Sequence, residues 1–184
     1  MLQYIPNLLS VLRILLVPPL LVLLLQGQYD WAFVVFALAG FTDGLDGFLA
    51  RRYNWHTELG GLLDPVADKL LMVSMFVALA VAKLVPLALA LLVIGRDVLI
   101  VTGLAVYRVL IGPVQAKASW VSKINTAVLL LFVLAVISDA GFSFPPPGVV
   151  IFFGAVVIVT TIISGLDYVR EGVLRARAHY TGGG

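Results

Sequence analysis

Residues 41–70 read FTDGLDGFLARRYNWHTELGGLLDPVADKL, and the four aspartates in that stretch, Asp43, Asp46, Asp64 and Asp68, decide how the rest of the chain is understood. Apolar runs hold them on both sides, from Trp31 to Ala50 and from Leu62 to Ala82. A charge inside an apolar helix is costly unless it is paired or functional. Asp43 and Asp46 are three residues apart, and Asp64 and Asp68 four, so each pair lies on one helical face. The short connection from Arg51 to Gly61 makes the two helices antiparallel neighbours and sets both pairs at one depth. Four carboxylates converging on one point cannot all stay ionised without cations. Oxygen-only ligands favour hard divalent ions such as Mg²⁺, Mn²⁺ or Ca²⁺, and two carboxylate pairs point to a two-metal centre. The alternative for any single aspartate is a helix cap or an ion pair with Arg51, Arg52 or Lys69; four at helical spacing argue against it.

The surroundings are those of a bilayer protein. Of 184 residues, 61% are hydrophobic and only 12% charged, and the mean hydropathy is +1.09, too apolar for a water-soluble globule. Apolar segments run approximately from Asn7 to Leu25, Trp31 to Ala50, Leu62 to Ala82, Leu84 to Val106, Val121 to Ile137 and Val149 to Leu166. A spanning helix needs roughly 20 such residues. The expected fold is therefore all-α: a polytopic membrane protein with six transmembrane helices and a short N-terminal interfacial helix around Ile5 to Ser10. Pro6 suits that helix start, and Pro18-Pro19 are expected to kink the helix beyond it. Residues 1–180 are read as one membrane-embedded domain and 181–184 as a flexible tail.

Basic residues fall unevenly. With a cytoplasmic N-terminus, the inner segments hold Arg51, Arg52, Arg108, Lys117, Lys123, Arg170, Arg175 and Arg177, and the outer loops only Lys83. This predicts both termini and the aspartates on the cytoplasmic side, as in a bacterial inner membrane. In such a protein the net charge of +2 is no sign of a nucleic-acid partner, and none is expected. There is no cysteine for a disulfide or thiolate site, and His56 and His179 are too few for zinc. No cleavable signal peptide is read at the N-terminus. No internal repeat favours an inverted-repeat transporter.

Read through, the central stretch is Asp43-x2-Asp46-Gly47-x2-Ala50-Arg51-x8-Gly60-x3-Asp64-x3-Asp68. It resembles the signature of the CDP-alcohol phosphatidyltransferases, with every fixed position filled, and the six-helix layout and short length resemble that family too. The resemblance implies two divalent metal ions, Mg²⁺ or Mn²⁺, held by Asp43, Asp46, Asp64 and Asp68, with Asp68 also the base that deprotonates the acceptor hydroxyl. It implies that Gly47, Ala50 and Gly60 make room for the cytidine nucleotide of CDP-diacylglycerol; close helix packing is the other use for such small residues. It also implies a homodimer. Arg51 offers a bidentate phosphate contact. Asn7 and Arg13 resemble the start of phosphatidylglycerophosphate synthases and are assigned to nucleotide or phosphate contact, with an ion pair to a buried aspartate as the alternative for Arg13.

The acceptor side rests on Arg96, Lys117, Lys123 and Asn125. Phosphatidylglycerophosphate synthases carry a Gly-Lys-x-Lys-Thr run; here Ser122-Lys123-Ile124-Asn125-Thr126 replaces the second lysine by Asn125 and resembles the eukaryotic-type cardiolipin synthases. A phosphodiester carries one negative charge where a phosphomonoester carries nearly two. The expected acceptor is accordingly phosphatidylglycerol, with glycerol 3-phosphate the alternative. A prenyltransferase would have denser, duplicated acidic motifs. A cation transporter would have no use for the Gly47, Ala50 and Gly60 spacing.

Overall fold

The computed structural model describes residues 5–53, 58–110 and 119–181; within them, side chains are described except at 5, 6, 46, 48–51, 58–63, 108–110, 173 and 175–181. The described residues form α1 (Ile5–Leu25), α2 (Tyr29–Tyr53), α3 (Glu58–Val81), α4 (Leu87–Leu110), α5 (Trp120–Phe142) and α6 (Pro147–Thr181). Four of them, α1, α4, α5 and α6, hold stretches long and apolar enough to cross a membrane. α2 and α3 carry the aspartates, which dilute their apolar character. Apolar spans of this kind mark an integral membrane protein.

Each helix follows from its local sequence. α1 is one unbroken helix from Ile5 to Leu25, so the short N-terminal piece expected over Ile5 to Ser10 forms its first turns. Pro18 and Pro19 lie inside it, on its exposed side. α1 is closed off just beyond Leu25 by Gly27, whose φ of 74° is the left-handed conformation that ends a helix; Gly27 N donates to Leu24 O at 3.1 Å and Gln28 N to Leu23 O at 2.9 Å. Ser119 caps α5, its side chain accepting from Ser122 N at 3.2 Å. α6 outruns its apolar stretch: the apolar run ends at Leu166, and the helix continues to Thr181 through a segment in which Arg, Glu, Leu and Ala, good helix formers, supply about half of the residues.

Among the described residues the helices pack as a closed ring, in the order α1, α2, α5, α6, α4, α3 and back to α1, with α3 also touching α5 across the middle. Phe76 and Phe132 fill that middle, stacked with ring centroids 6.3 Å apart. In each helix one stripe faces inward. On α1 it is Ser10, Arg13, Val17, Leu20 and Leu24; Leu8, Leu12, Leu15, Val22 and Leu25 face out. The ring is thus apolar on its outside, as a lipid-facing surface requires.

The inward stripes are apolar at one end and polar at the other. α2 buries Ala32, Phe36 and Ala39, and the next inward position is Asp43. α3 starts with Asp64 and Asp68 before Leu71 and Met75; α4 runs from Leu89 and Val93 to Arg96 and Asp97. α5 opens with Asn125 before Leu129, and α6 reaches Thr161 and Ser164 after Val157. Because successive helices alternate in direction, all six polar ends meet at one end of the ring. The tight connections at 26–28, 82–86 and 143–146 close the other end.

Candidate functional site

The polar end begins with Arg13. Its side chain is fully buried, and it sits on α1 where the guanidinium reaches both neighbouring helices. Nη2 stands 2.9 Å from Asp43 Oδ1 on α2, and Nη1 donates to Asp68 Oδ1 on α3. One turn earlier, Ser10 Oγ donates to Asp64 Oδ1. Three of the four aspartates are therefore gathered on the inner face of α1. The guanidinium is a rigid fork, and here its two prongs bind two carboxylates from different helices. Buried charge of this kind is tolerated because it is neutralised in place.

The aspartates are not sealed in. Asp43 and Asp68 side chains are 43% and 45% exposed, against 0% for Arg13. They form an acidic rim with a buried cation beneath, open to a ligand from outside the ring. The donor set, oxygen only and shared between two helices, fits a hard divalent ion. One guanidinium spanning Asp43 and Asp68 shows that a single cation lies within reach of both. Among the described residues no group of three or more carboxylate or imidazole side chains is itself clustered for a metal. Asp46, the fourth aspartate, lies on α2 with its side chain outside the described residues.

Of the expected nucleotide-binding residues, Asn7 is half-buried one turn before Ser10, and Gly47 is half-buried on α2. Gly60 lies on α3. The side chains of Ala50 and Arg51 lie outside the described residues. The ion pair that was the alternative for Arg13 is present, made twice over.

The expected acceptor residues differ in their surroundings. Arg96 is buried: Nη1 donates to Asp97 Oδ1 at 2.7 Å, and Nη2 to Ser122 Oγ at 2.8 Å and Ser164 Oγ at 2.5 Å, which ties α4 to α5 and α6. Asn125 is also buried, its Oδ1 accepting from Thr161 Oγ1 at 3.1 Å. Lys123 is exposed, with its ammonium 5.0 Å from the Trp120 ring centroid. Lys117 lies outside the described residues. Ser10, Thr161 and Ser164 join the polar end without being expected from the sequence. Their signal is modest: Ser10 lies three residues before Arg13, and Thr161 three before Ser164, each pair on one inward face.

Residues 3–165 match the family described as CDP-alcohol phosphatidyltransferase. The chain belongs to the CDP-alcohol phosphatidyltransferase family. Among its relatives is the human cardiolipin synthase (CMP-forming), 36% identical over 91% of this chain and 61% of the relative. The CDP-diacylglycerol–glycerol-3-phosphate 3-phosphatidyltransferase of Pseudomonas fluorescens is 38% identical over 76% of this chain and 75% of the relative. A probable phosphatidylglycerophosphate synthase of Mycobacterium tuberculosis is 35% identical over 89% of the chain and 78% of the relative. The chain spans about 61% of the length of the mammalian cardiolipin synthases it matches. CDP-alcohol phosphatidyltransferases generally depend on a divalent metal.

Proposed function

We propose that the chain transfers a phosphatidyl group from CDP-diacylglycerol to an alcohol with release of CMP, and that the alcohol is phosphatidylglycerol, giving cardiolipin. The observation that carries the reading is the double engagement of Arg13 by Asp43 and Asp68, which draws the signature aspartates of α2 and α3 around one cation. In this reading Asp43, Asp46, Asp64 and Asp68 hold two Mg²⁺ or Mn²⁺ ions. When bound, these neutralise the pyrophosphate of the CDP-lipid and the charge that develops on the departing CMP.

The chain's own groups do the rest. Arg13 orients the carboxylates of Asp43 and Asp68 from below. Asn7, Arg13 and Arg51 contact the nucleotide or its phosphates, and Gly47, Ala50 and Gly60 leave room for the nucleotide against α2 and α3. Asp68 takes the proton of the acceptor hydroxyl as that oxygen forms its bond to the lipid-side phosphorus. The bond from that phosphorus to the bridging oxygen breaks, and CMP leaves with the electron pair. Arg96, Lys117, Lys123 and Asn125 serve the acceptor.

All six helices cross the bilayer in this reading, with the polar end and both termini cytoplasmic, as the distribution of basic residues favours. The acyl chains of donor and acceptor then stay among the apolar outer faces while the nucleotide enters from the aqueous side. The functional unit is a homodimer.

The test is incubation of the purified protein with CDP-diacylglycerol and either phosphatidylglycerol or glycerol 3-phosphate, with and without Mn²⁺, followed by mass analysis of the lipid product. Metal-dependent appearance of cardiolipin and CMP is the expected result. Phosphatidylglycerophosphate as the only product would move the acceptor to glycerol 3-phosphate. Absence of CMP with both acceptors would refute the reading and favour a metal-binding membrane protein of another kind.

A further inference from the structure

α3 stands between α1 and α4 in the ring, so consecutive residues on it face different neighbours. Asp68 meets Arg13 of α1, and Lys69 meets Asp97 of α4, with Nζ 2.5 Å from Asp97 Oδ1. That same oxygen accepts from Arg96 Nη1 at 2.7 Å. One buried carboxylate oxygen thus holds an ammonium and a guanidinium side by side, where the two cations alone would repel. Together the three groups carry a formal charge of +1.

The trio is asymmetric. Arg96 and Asp97 side chains are 5% and 8% exposed, whereas Lys69 is 42% exposed. Both terminal nitrogens of Arg96 are occupied, and its Nε is buried with no hydrogen-bond partner among the described residues. Lys69 has three donors and makes one ionic contact among the described residues. The cluster therefore has donors to spare and one net positive charge, with its accessible edge at Lys69. Lys123, also expected at the acceptor, is exposed beside Trp120.

We propose that Lys69 binds the phosphate of the acceptor lipid, and that Asp97 is the positioning residue that fixes Lys69 beside Arg96. The ligand class is an alcohol bearing a singly charged phosphodiester, which matches the cluster's single net charge. Its position follows from the chain: Lys69 is consecutive with Asp68 on α3, so the phosphate is held on the α4 side of the helix, at the level of the carboxylate that takes the hydroxyl proton. This inference rests on the phosphatidyl-transfer reading above and adds two residues to it.

The experiment is two-substrate kinetics on the purified full chain with Mn²⁺, CDP-diacylglycerol and phosphatidylglycerol, for Lys69→Met, Lys69→Gln, Lys69→Arg, Asp97→Asn and Asp97→Glu. Lys69→Met is expected to raise the acceptor KM at least about tenfold, the loss of one charge-assisted hydrogen bond, and to leave the KM for CDP-diacylglycerol within about twofold. Lys69→Arg restores most of the acceptor KM. Asp97→Asn raises it and Asp97→Glu restores it, a pattern that general destabilisation does not give. Lys69→Gln keeps a hydrogen bond to Asp97 without the charge, so it stands in if Lys69→Met does not fold. An unchanged acceptor KM in Lys69→Gln, or a KM change confined to CDP-diacylglycerol, overturns the proposal while leaving the broader reading intact. A wild-type protein that releases no CMP with any acceptor takes both down together.

Discussion

Arg13 Nη2 lies 2.9 Å from Asp43 Oδ1, and this contact joins the first helix of the ring to the second at the level of the signature aspartates. The arginine is wholly buried, and the aspartate is 43% exposed. The cation is thus a fixed floor and the carboxylate the accessible rim above it.

Removing the floor should be felt in both fold and chemistry. Breaking a fully buried ion pair costs about 3–5 kcal/mol; with water reaching Asp43 and Asp68, Arg13→Met is expected to cost nearer about 2 kcal/mol. Transferase activity should fall at least about a hundredfold, or about 2.7 kcal/mol at 1.36 kcal/mol per factor of ten. Arg13→Lys should recover little, because a single ammonium lacks the fork that spans two carboxylates. Thermal melts in detergent and CMP release at saturating Mn²⁺ measure the two effects. Wild-type activity in Arg13→Met would remove the arginine from the site.

The carboxylates themselves can be followed without turnover. Asp43→Asn and Asp64→Asn are expected to keep helicity and to lose Mn²⁺ binding, read as free Mn²⁺ by electron paramagnetic resonance, with activity down by at least about two orders of magnitude. Ser10→Ala removes the hydroxyl that orients Asp64. A hydrogen bond to a charged group contributes about 1.5–3 kcal/mol, so Mn²⁺ affinity should weaken by about ten- to a hundredfold. Full Mn²⁺ binding by Asp43→Asn or Asp64→Asn would dismiss the metal assignment.

Far from the polar end, one glycine should matter for packing alone. A Cβ at Gly141 would lie 2.9 Å from Asp30 N and 3.1 Å from Tyr29 C. Both are backbone atoms where α2 starts, and neither can swing aside. Gly141→Ala is expected to cost about 1–3 kcal/mol through overpacking and to lower the melting temperature with substrate KM values unchanged. An unshifted melt would mean that α5 and α2 separate easily at this end.

The alternation of apolar and acidic positions makes much of this arrangement legible in the sequence. Trp31 to Ala50 and Leu62 to Ala82 read as helices, and the spacing of Asp43, Asp64 and Asp68 puts them on inner faces. The hidden part depends on which helix stands beside which. Arg13 reads as one charge on α1; only the ring order gives it two carboxylates at once. Lys69 adjoins the signature, yet its partner is 28 positions away, on a helix whose contact with α3 no periodicity announces. The end of α6 escapes a reading of apolar runs, which stops where the continuous run is broken at Asp167, while the helix continues through a mixed segment rich in Arg and Ala.

Asn125 poses the sharpest choice between packing and chemistry. Its Oδ1 is satisfied by Thr161 Oγ1, while its Nδ2 is buried with no hydrogen-bond partner among the described residues. A buried polar group left unpaired costs about 1–3 kcal/mol, and replacing both members of a pair by apolar groups of similar shape is nearly neutral. Thr161→Val alone should therefore destabilise the protein by about 1–3 kcal/mol, and the double variant Thr161→Val with Asn125→Leu should recover most of that. If the amide binds acceptor, the recovered double variant still shows a raised acceptor KM with that of CDP-diacylglycerol unchanged. If the amide only packs, stability and KM recover together, and Asn125 leaves the acceptor site.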